Sequence, residues 1–182
     1  MIAAADYENI YVVDSTSAAM GSGILVELAF RLLDEGKSAA EIAATLEDEK
    51  KKIVIVALVD TLEYLKKGGR ISKAVAFAGG VLNIKPVLSV VDGEINMLGK
   101  ARGSKMGNNL LVQEIDKAGG IDFSKPVLLG YSGISDALLK KYIEDSRHIW
   151  EGNLKDVRYT TVGSVIGTHA GPGAVVVAFF KN

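Results

Sequence analysis

The stretch Pro86-Val-Leu-Ser-Val-Val-Asp-Gly-Glu-Ile-Asn-Met-Leu98 carries the strongest β-hairpin signal in this 182-residue chain. Two apolar runs flank Asp92-Gly93, and Asp-Gly is a preferred two-residue hairpin turn. A tight hairpin joins antiparallel strands, so the sheet that contains it is not purely parallel. We therefore predict an α/β (mixed α+β) fold with a mixed sheet packed against helices.

Segments on both sides of the hairpin alternate between strand and helix patterns. Further strands are predicted over residues 10–13, 53–58, 126–131, 157–162 and 174–180, which are apolar or β-branched. Helices are predicted over residues 24–33, from the Ser38-Ala-Ala-Glu41 capping box onwards, from Asp60-Thr-Leu-Glu63 to Gly68, and over residues 74–78, 104–117 and 136–150. Helices and strands thus alternate along the chain as in an α/β protein, except where the hairpin interrupts the alternation.

A charged run over residues 47–52 suggests a domain boundary. One strand and two helices precede it, and they cannot bury a core of their own. Residues 1–50 are therefore interpreted as a remnant of an N-terminal α/β domain, and residues 51–182 as a second domain.

Composition excludes several classes of site. The chain has no cysteine and two histidines, which leaves no thiolate nucleophile, no Cys-based zinc site and no histidine-only metal site. The formal net charge of −1 gives the whole molecule no general attraction for nucleic acid. No apolar run reaches the roughly 18–20 residues of a membrane span. These features suit a cytoplasmic protein.

Positive charge is concentrated between residues 66 and 105, a stretch that contains eight Lys or Arg residues and only two acidic residues. Such a stretch beside glycines suits a phosphate or a phosphorylated partner, and the alternative is a solvated surface. The spacing is not that of a nucleotide-binding P-loop. Phe77 is its one aromatic residue, which argues against base stacking.

The segment Gly167-Thr-His-Ala-Gly-Pro-Gly173 is predicted to be a loop that carries His169. A neutral imidazole donates one hydrogen bond and accepts another, which suits a carboxyl ligand. The alternative is a turn whose histidine satisfies backbone groups. Asp14-Ser15 is interpreted as a turn stabilised by side-chain hydrogen bonds, with binding of a polar head group as the alternative.

Five segments in order resemble the DegV family of fatty-acid-binding proteins. They span nearly the whole chain and are Val13-Asp-Ser15 with Gly21-Ser-Gly23; Asp60-Thr-Leu-Glu-Tyr-Leu-Lys-Lys-Gly-Gly-Arg-Ile-Ser72; Leu82-Asn-Ile-Lys-Pro86 with Asp92-Gly93; Lys100-Ala-Arg-Gly103; and Gly167-Thr-His-Ala-Gly-Pro-Gly-Ala174. Each motif is common by itself, whereas the ordered set is specific. Residues 51–182 are accordingly identified as similar to the family's C-terminal domain.

The resemblance implies a carrier that holds a long-chain fatty acid in an apolar tunnel and presents it to a separate ATP-dependent fatty acid kinase. By this similarity His169 and Thr168 would contact the acyl carboxyl group. A docking or phosphate-binding face would comprise Arg70, Lys67, Lys73 and Arg102. The tunnel lining would comprise Leu62, Leu65, Ile71, Phe77, Leu82 and Ile84, together with Ala74.

The resemblance also implies that the chain is no enzyme in its own right and uses no cofactor beyond the bound fatty acid. The Ser-Gly-Thr-type motif that the family carries ahead of the Val-Asp-Ser segment is absent, so we expect a truncated form. The alternative function is a phosphotransferase-like enzyme or a regulatory module that uses the basic stretch 66–105. Transient membrane contact and oligomerisation are left open.

Overall fold

The computed structural model describes residues 7–71 and 83–182. Its strands are β1 (Ile53–Leu58), β2 (Ile84–Val91), β3 (Glu94–Arg102), β4 (Leu128–Tyr131), β5 (Tyr159–Thr161) and β6 (Val175–Phe180). Its helices are α1 (Met20–Asp34), α2 (Ala39–Glu49), α3 (Glu63–Lys67), α4 (Gly103–Lys117), α5 (Ala137–Asp145), α6 (Arg147–Trp150) and α7 (Ser164–Ala170). The helix predicted over residues 74–78 lies outside the described residues.

Within the described residues, the strands form one mixed sheet in the order β3-β2-β1-β6-β4-β5. The β4–β5 pair is parallel, and the other neighbouring pairs are antiparallel. The predicted hairpin is confirmed, since Val91 pairs with Glu94 across the turn. Asp92 (φ 51°) and Gly93 (φ 78°) both have positive φ, as a type I′ turn requires. The predicted mixed fold is therefore confirmed.

Helices cover both faces of the sheet. The side chains of β1 and β6 therefore alternate between two hydrophobic cores, one on each face. Val54, Val56 and Leu58 belong to a cluster that includes residues of α4, α5 and α6. Ile53 and Ile55 belong to a second cluster with residues of α1 and α2. A central strand buried on both faces reads in sequence as a continuous apolar run, and residues 53–58 show that run.

Three predicted elements differ from the structure. The strand predicted over residues 10–13 is wrong: within the described part of the chain these residues pair with no strand, and Ile10 to Val12 are exposed. The helix predicted over 136–150 is two helices, broken at Ser146, whose hydroxyl donates to the Tyr142 carbonyl and accepts from the Trp150 indole. The strand predicted over 157–162 is shortened to β5.

The charged run 47–52 ends α2 and continues as a 3₁₀ turn, Lys50–Lys52. Glu49 accepts from Lys125 at 2.6 Å, which links this turn to the segment before β4. Helix α1 also shares its hydrophobic cluster with Ala178 and Phe180 of β6. The domain boundary near residue 50 stays a prediction, while α1 packs on the sheet and α2 packs on α1.

Candidate functional site

An apolar cavity of about 460 Å³ lies between α1, α2 and the segment that precedes α1. Its volume is within the range of sites that hold small-molecule ligands. The walls are aliphatic and aromatic except for two serines. The lining residues are Val13, Ser15, Ser22, Leu25, Val26, Ala29, Phe30, Leu33, Ile42 and Leu46.

One side of the cavity is open to solvent. Val26, Phe30 and Leu33 follow each other at helical spacing along α1 and are 57%, 60% and 56% exposed. The opposite wall is closed, because Leu25 and Leu46 are buried in the cluster that α1 and α2 share with the sheet. The cavity is therefore an apolar groove with a buried floor.

The polar end of the groove is formed by linked hydroxyl groups. The Ser15 and Ser22 hydroxyls lie 3.0 Å apart, and both are within hydrogen-bonding distance of the Ser17 carbonyl, at 3.2 and 3.1 Å. Each hydroxyl has one proton, which can turn from the Ser17 carbonyl to a ligand, and it also has lone pairs that accept, so this end offers hydrogen-bonding groups to a carboxyl group. The Thr16 amide donates to the Asp14 carboxylate at 2.9 Å, which confirms the predicted side-chain-stabilised turn.

Gly21 makes this serine turn fit against the sheet. A Cβ atom at position 21 would overlap the Ser17 hydroxyl and would lie 2.6 Å from Cδ1 of Ile55. Only a residue without a side chain allows α1 to begin so close to β1.

His169 lies on a helix, so the loop predicted for residues 167–173 is wrong for its first half. Helix α7 ends at Ala170, and Gly171 (φ 72°) follows it. A glycine with positive φ followed by a proline commonly ends a helix. In the sequence, the same residues are typical of a loop, which is why the helix before them was predicted as a loop. The Nδ1 atom of His169 is buried and has no hydrogen-bond partner among the described residues.

Helix α7 presents His169 to α3. The imidazole lies directly over Gly68, where a Cβ atom would be 2.6 Å from Cε1 of the ring. The fold thus brings together two of the segments singled out in the sequence. Thr168 points elsewhere: its hydroxyl donates to the Ser164 carbonyl at 2.8 Å and its side chain is exposed.

The predicted docking residues that the structure describes are exposed. Arg70 donates from Nη1 to the Gly68 carbonyl at 2.9 Å. Lys67 pairs with Glu63 at 2.7 Å, and that hydrogen bond raises the pKa of the Lys67 ammonium group and lowers the pKa of the Glu63 carboxyl group. Arg102 ends β3. Lys73 lies outside the described residues.

The predicted tunnel residues that the structure describes do not line the groove. Leu62, Leu65 and Ile71 pack together in a separate cluster with Val59, Leu88 and Ala174. Ile84 is half-buried at the start of β2, opposite Arg102. Ala74, Phe77 and Leu82 lie outside the described residues. The tunnel assignment stays a prediction, and the lining by α1 and α2 was not recognised in the sequence.

Residues 7–71 and 83–182 contain neither a cluster of metal ligands nor a membrane-spanning helix. No three His, Cys, Asp or Glu side chains there are arranged to hold a metal ion. No helix in these ranges is long and apolar enough to cross a membrane.

The family model of DegV, described as an uncharacterised protein family, matches residues 1–182. The chain belongs to the DegV family. A DegV domain-containing protein of Clostridium perfringens (strain 13 / Type A) is 36% identical over 177 residues, which cover 96% of this chain and 59% of the relative. This chain therefore spans about three fifths of that relative's length.

Solved structures of DegV proteins share the fold. A fatty-acid-binding DegV protein from Thermus thermophilus matches with a TM-score of 0.77 and 31% identity, over 93% of this chain and 60% of the other. The Streptococcus pneumoniae Fatty Acid Kinase (Fak) B3 protein, loaded with linoleic acid, matches with a TM-score of 0.82 and 24% identity. That match covers 100% of this chain and 64% of the other. The resemblance inferred from the five segments is confirmed.

Proposed function

We propose that this chain is the ligand-holding part of a DegV fatty-acid carrier. The observation that carries the proposal is the apolar groove of about 460 Å³ that ends in the Ser15 and Ser22 hydroxyls. A long acyl chain matches the apolar walls, and its carboxyl group matches the polar end. The fatty acid bound by the Thermus relative is a ligand of the same chemistry.

The two parts of the ligand contribute differently to binding. Each methylene removed from water contributes about 0.8 kcal/mol, so the acyl chain supplies most of the affinity. Hydrogen bonds to the carboxyl group exchange with bonds to water and contribute less, but they fix the orientation of the ligand. The groove therefore favours long chains, and the serines decide which end of the ligand lies beside them.

His169 is the second candidate group for the carboxyl end. Ile166 on α7 packs in the same cluster as Val13, which lines the groove. His169 comes three residues later, on the same side of the helix. This arrangement supports a carboxyl position between the serine turn and α7, where Nε2 of His169 is the ring atom left to engage the ligand.

The carrier would present its acyl carboxyl group to an ATP-dependent fatty acid kinase. Exposed Arg70 and Lys67 lie at the end of α3, next to the helix that carries His169. Cationic side chains beside the ligand carboxyl group suit a surface that meets a phosphate-carrying partner. The name of the Streptococcus pneumoniae neighbour supports such a partnership.

The direct test is mass spectrometry of an organic extract of the purified chain, with the Thermus relative as positive control. We expect long-chain fatty acid in both extracts. An Ala29→Phe variant fills the groove and should lose the ligand, whereas Ala40→Phe adds the same side chain at an exposed position on α2. A folded chain without lipid, beside a loaded relative, would reject the proposal.

A further inference from the structure

The contact between α3 and α7 depends on a missing side chain. At Gly68 a Cβ atom would overlap Nδ1 of His169 and would also come within 3.2 Å of the Tyr64 carbonyl oxygen. Real Cβ atoms do not overlap other atoms in this way, so any residue with a side chain here must displace the imidazole. The ring of His169 therefore rests on the backbone of Gly68.

The backbone of Gly68 does not itself require glycine. Its φ of −78° and ψ of −2° are right-handed helical values that any L-residue adopts. Gly69 is the opposite case, with φ of 67°, and a Cβ atom there would meet nothing within 4 Å. The turn therefore requires glycine at position 69 because of its positive φ. At position 68, glycine is required because a side chain would occupy the space of the His169 ring.

A second glycine allows another close contact between α7 and α3. At Gly171 a Cβ atom would lie 2.8 Å from Cγ of Tyr64, so the tyrosine ring packs on the end of α7. The Gly171 carbonyl also accepts a hydrogen bond from the buried Ser132 hydroxyl. Helix α7 is therefore held against α3 at two points, where His169 packs on Gly68 and where Tyr64 packs on Gly171.

This packing determines which ring nitrogen of His169 is available. Nδ1 is enclosed at the contact and has no hydrogen-bond partner among the described residues. A buried polar atom without a partner is rare in proteins, and here the atom is enclosed where the ring packs on Gly68. This leaves Nε2 as the ring nitrogen that is free to engage a ligand.

We propose that Gly68 is a positioning residue that fixes the imidazole of His169 for the ligand carboxyl group. The inference rests on the proposed function, because it gives His169 its ligand. It adds that α3, which is followed by exposed Arg70, determines where the imidazole lies. The adjacent glycines Gly68 and Gly69 then have two separate tasks.

The test uses ¹³C-carboxyl palmitate and the imidazole ¹⁵N signals of the full chain, with His148→Gln to assign the two histidines. Gly68→Ala should move the His169 signals and raise the palmitate Kd about tenfold, which corresponds to about 1.4 kcal/mol. In a His169→Ala background, Gly68→Ala should have no further effect. Gly167→Ala on α7 is the matched control, since its Cβ would meet only Val162, at 4.0 Å.

If Gly68→Ala folds poorly, thermal denaturation of this variant with and without His169→Ala provides the test. Restoration of the fold by adding His169→Ala would confirm that the two side chains compete for the same space. Unmoved His169 signals in a folded Gly68→Ala protein would overturn the positioning role. A tenfold loss of palmitate affinity caused by Gly68→Ala in the His169→Ala background would also overturn the positioning role. Absence of palmitate binding by the wild-type chain would overturn the proposed function instead, and the imidazole signals would still decide the role of Gly68.

Discussion

Two hydroxyl groups from different turns of the chain make the polar end of the groove. Ser15 precedes α1, and Ser22 lies in its first turn. Their oxygens come within 3.0 Å because Thr16 and Ala19 adopt positive φ, which reverses the chain between them. Non-glycine residues rarely adopt positive φ, and such residues occur in turns and cluster at functional sites.

Replacing Ser15 by Ala should weaken palmitate binding about tenfold, because a carboxyl group at this end loses one hydrogen bond while the acyl chain keeps its apolar contacts. Isothermal titration of the delipidated chain measures the effect. Ser135→Ala, in an exposed turn before α5, is the control. Equal affinity of Ser15→Ala and wild type would exclude Ser15 from the carboxyl site.

Glu49 should make stability depend on pH. Burial raises the pKa of its carboxyl group, but hydrogen bonds from Lys125 and Lys52 outweigh burial and leave that pKa below the ordinary value of 4.5. A lowered pKa stabilises the folded state above the unfolded-state value, and the stabilisation is lost as pH falls through the folded-state value.

Glu49→Gln should therefore cost about 1 kcal/mol at neutral pH and reduce the loss of stability as the pH falls from neutral through the ordinary carboxyl pKa of 4.5. Urea denaturation across this range measures the free energy of unfolding. Asp48→Asn is the control, since Asp48 pairs with Lys51 on an exposed surface. Parallel pH profiles for Glu49→Gln and wild type would contradict the role of this carboxylate.

Among the helices, α2 forms one wall of the groove and depends on its N-terminal cap. Ser38 and Glu41 form the predicted capping box, in which the Glu41 carboxylate accepts from the Ser38 amide at 2.8 Å. Ile42 and Leu46 follow on the face that lines the groove. Loss of the cap would loosen the same turn that holds Ile42 in place.

Ser38→Ala should lower the free energy of unfolding by about 1 kcal/mol, because it leaves a backbone amide of α2 without its acceptor. Ser38→Gly should cost only a few tenths of a kcal/mol, since glycine leaves that amide open to water. Chemical denaturation of the three proteins gives the order. Equal stability of all three would show that the cap contributes nothing measurable.

Across the molecule, the groove and the exposed cationic residues belong to different elements. The groove lies between α1 and α2, and Arg70 follows α3. Helix α7 connects them, since Ile166 shares a cluster with Val13 while His169 rests on Gly68. Ligand retention and partner docking should therefore be separable by mutation.

Arg70→Ala should leave the palmitate Kd unchanged and lower acyl phosphate formation by an ATP-dependent fatty acid kinase about tenfold, because the partner loses a charged contact. Arg147→Ala, at an exposed arginine at the start of α6, is the control. Unchanged phosphorylation of the Arg70→Ala carrier would reject Arg70 as a docking residue. A parallel loss of palmitate binding would show instead that Arg70 acts through the ligand site.

Local signals in the sequence were sufficient to predict the hairpin, the capping box and the central strands. The Asp92-Gly93 turn and the Ser38–Glu41 pair involve neighbours in the chain, so their residue types predict their structure directly. The strand predicted over residues 10–13 failed because a strand also needs a partner. The seven-residue helix α7 was missed because the glycines within and after it, with Pro172, resemble a loop, and a helix this short depends on tertiary packing.

Residue types and their order were enough to predict the family and the mixed sheet, and they singled out the segments around Gly68 and His169 as candidate site segments. Three-dimensional packing was needed to show that these two residues touch. It was also needed to show that α1 and α2 line the groove, whereas Leu62, Leu65, Ile71 and Ile84 do not. Residue type and spacing describe interactions within a few residues of each other. Contact between residues 68 and 169, and the volume left between two helices, depend on how the sheet brings distant segments together.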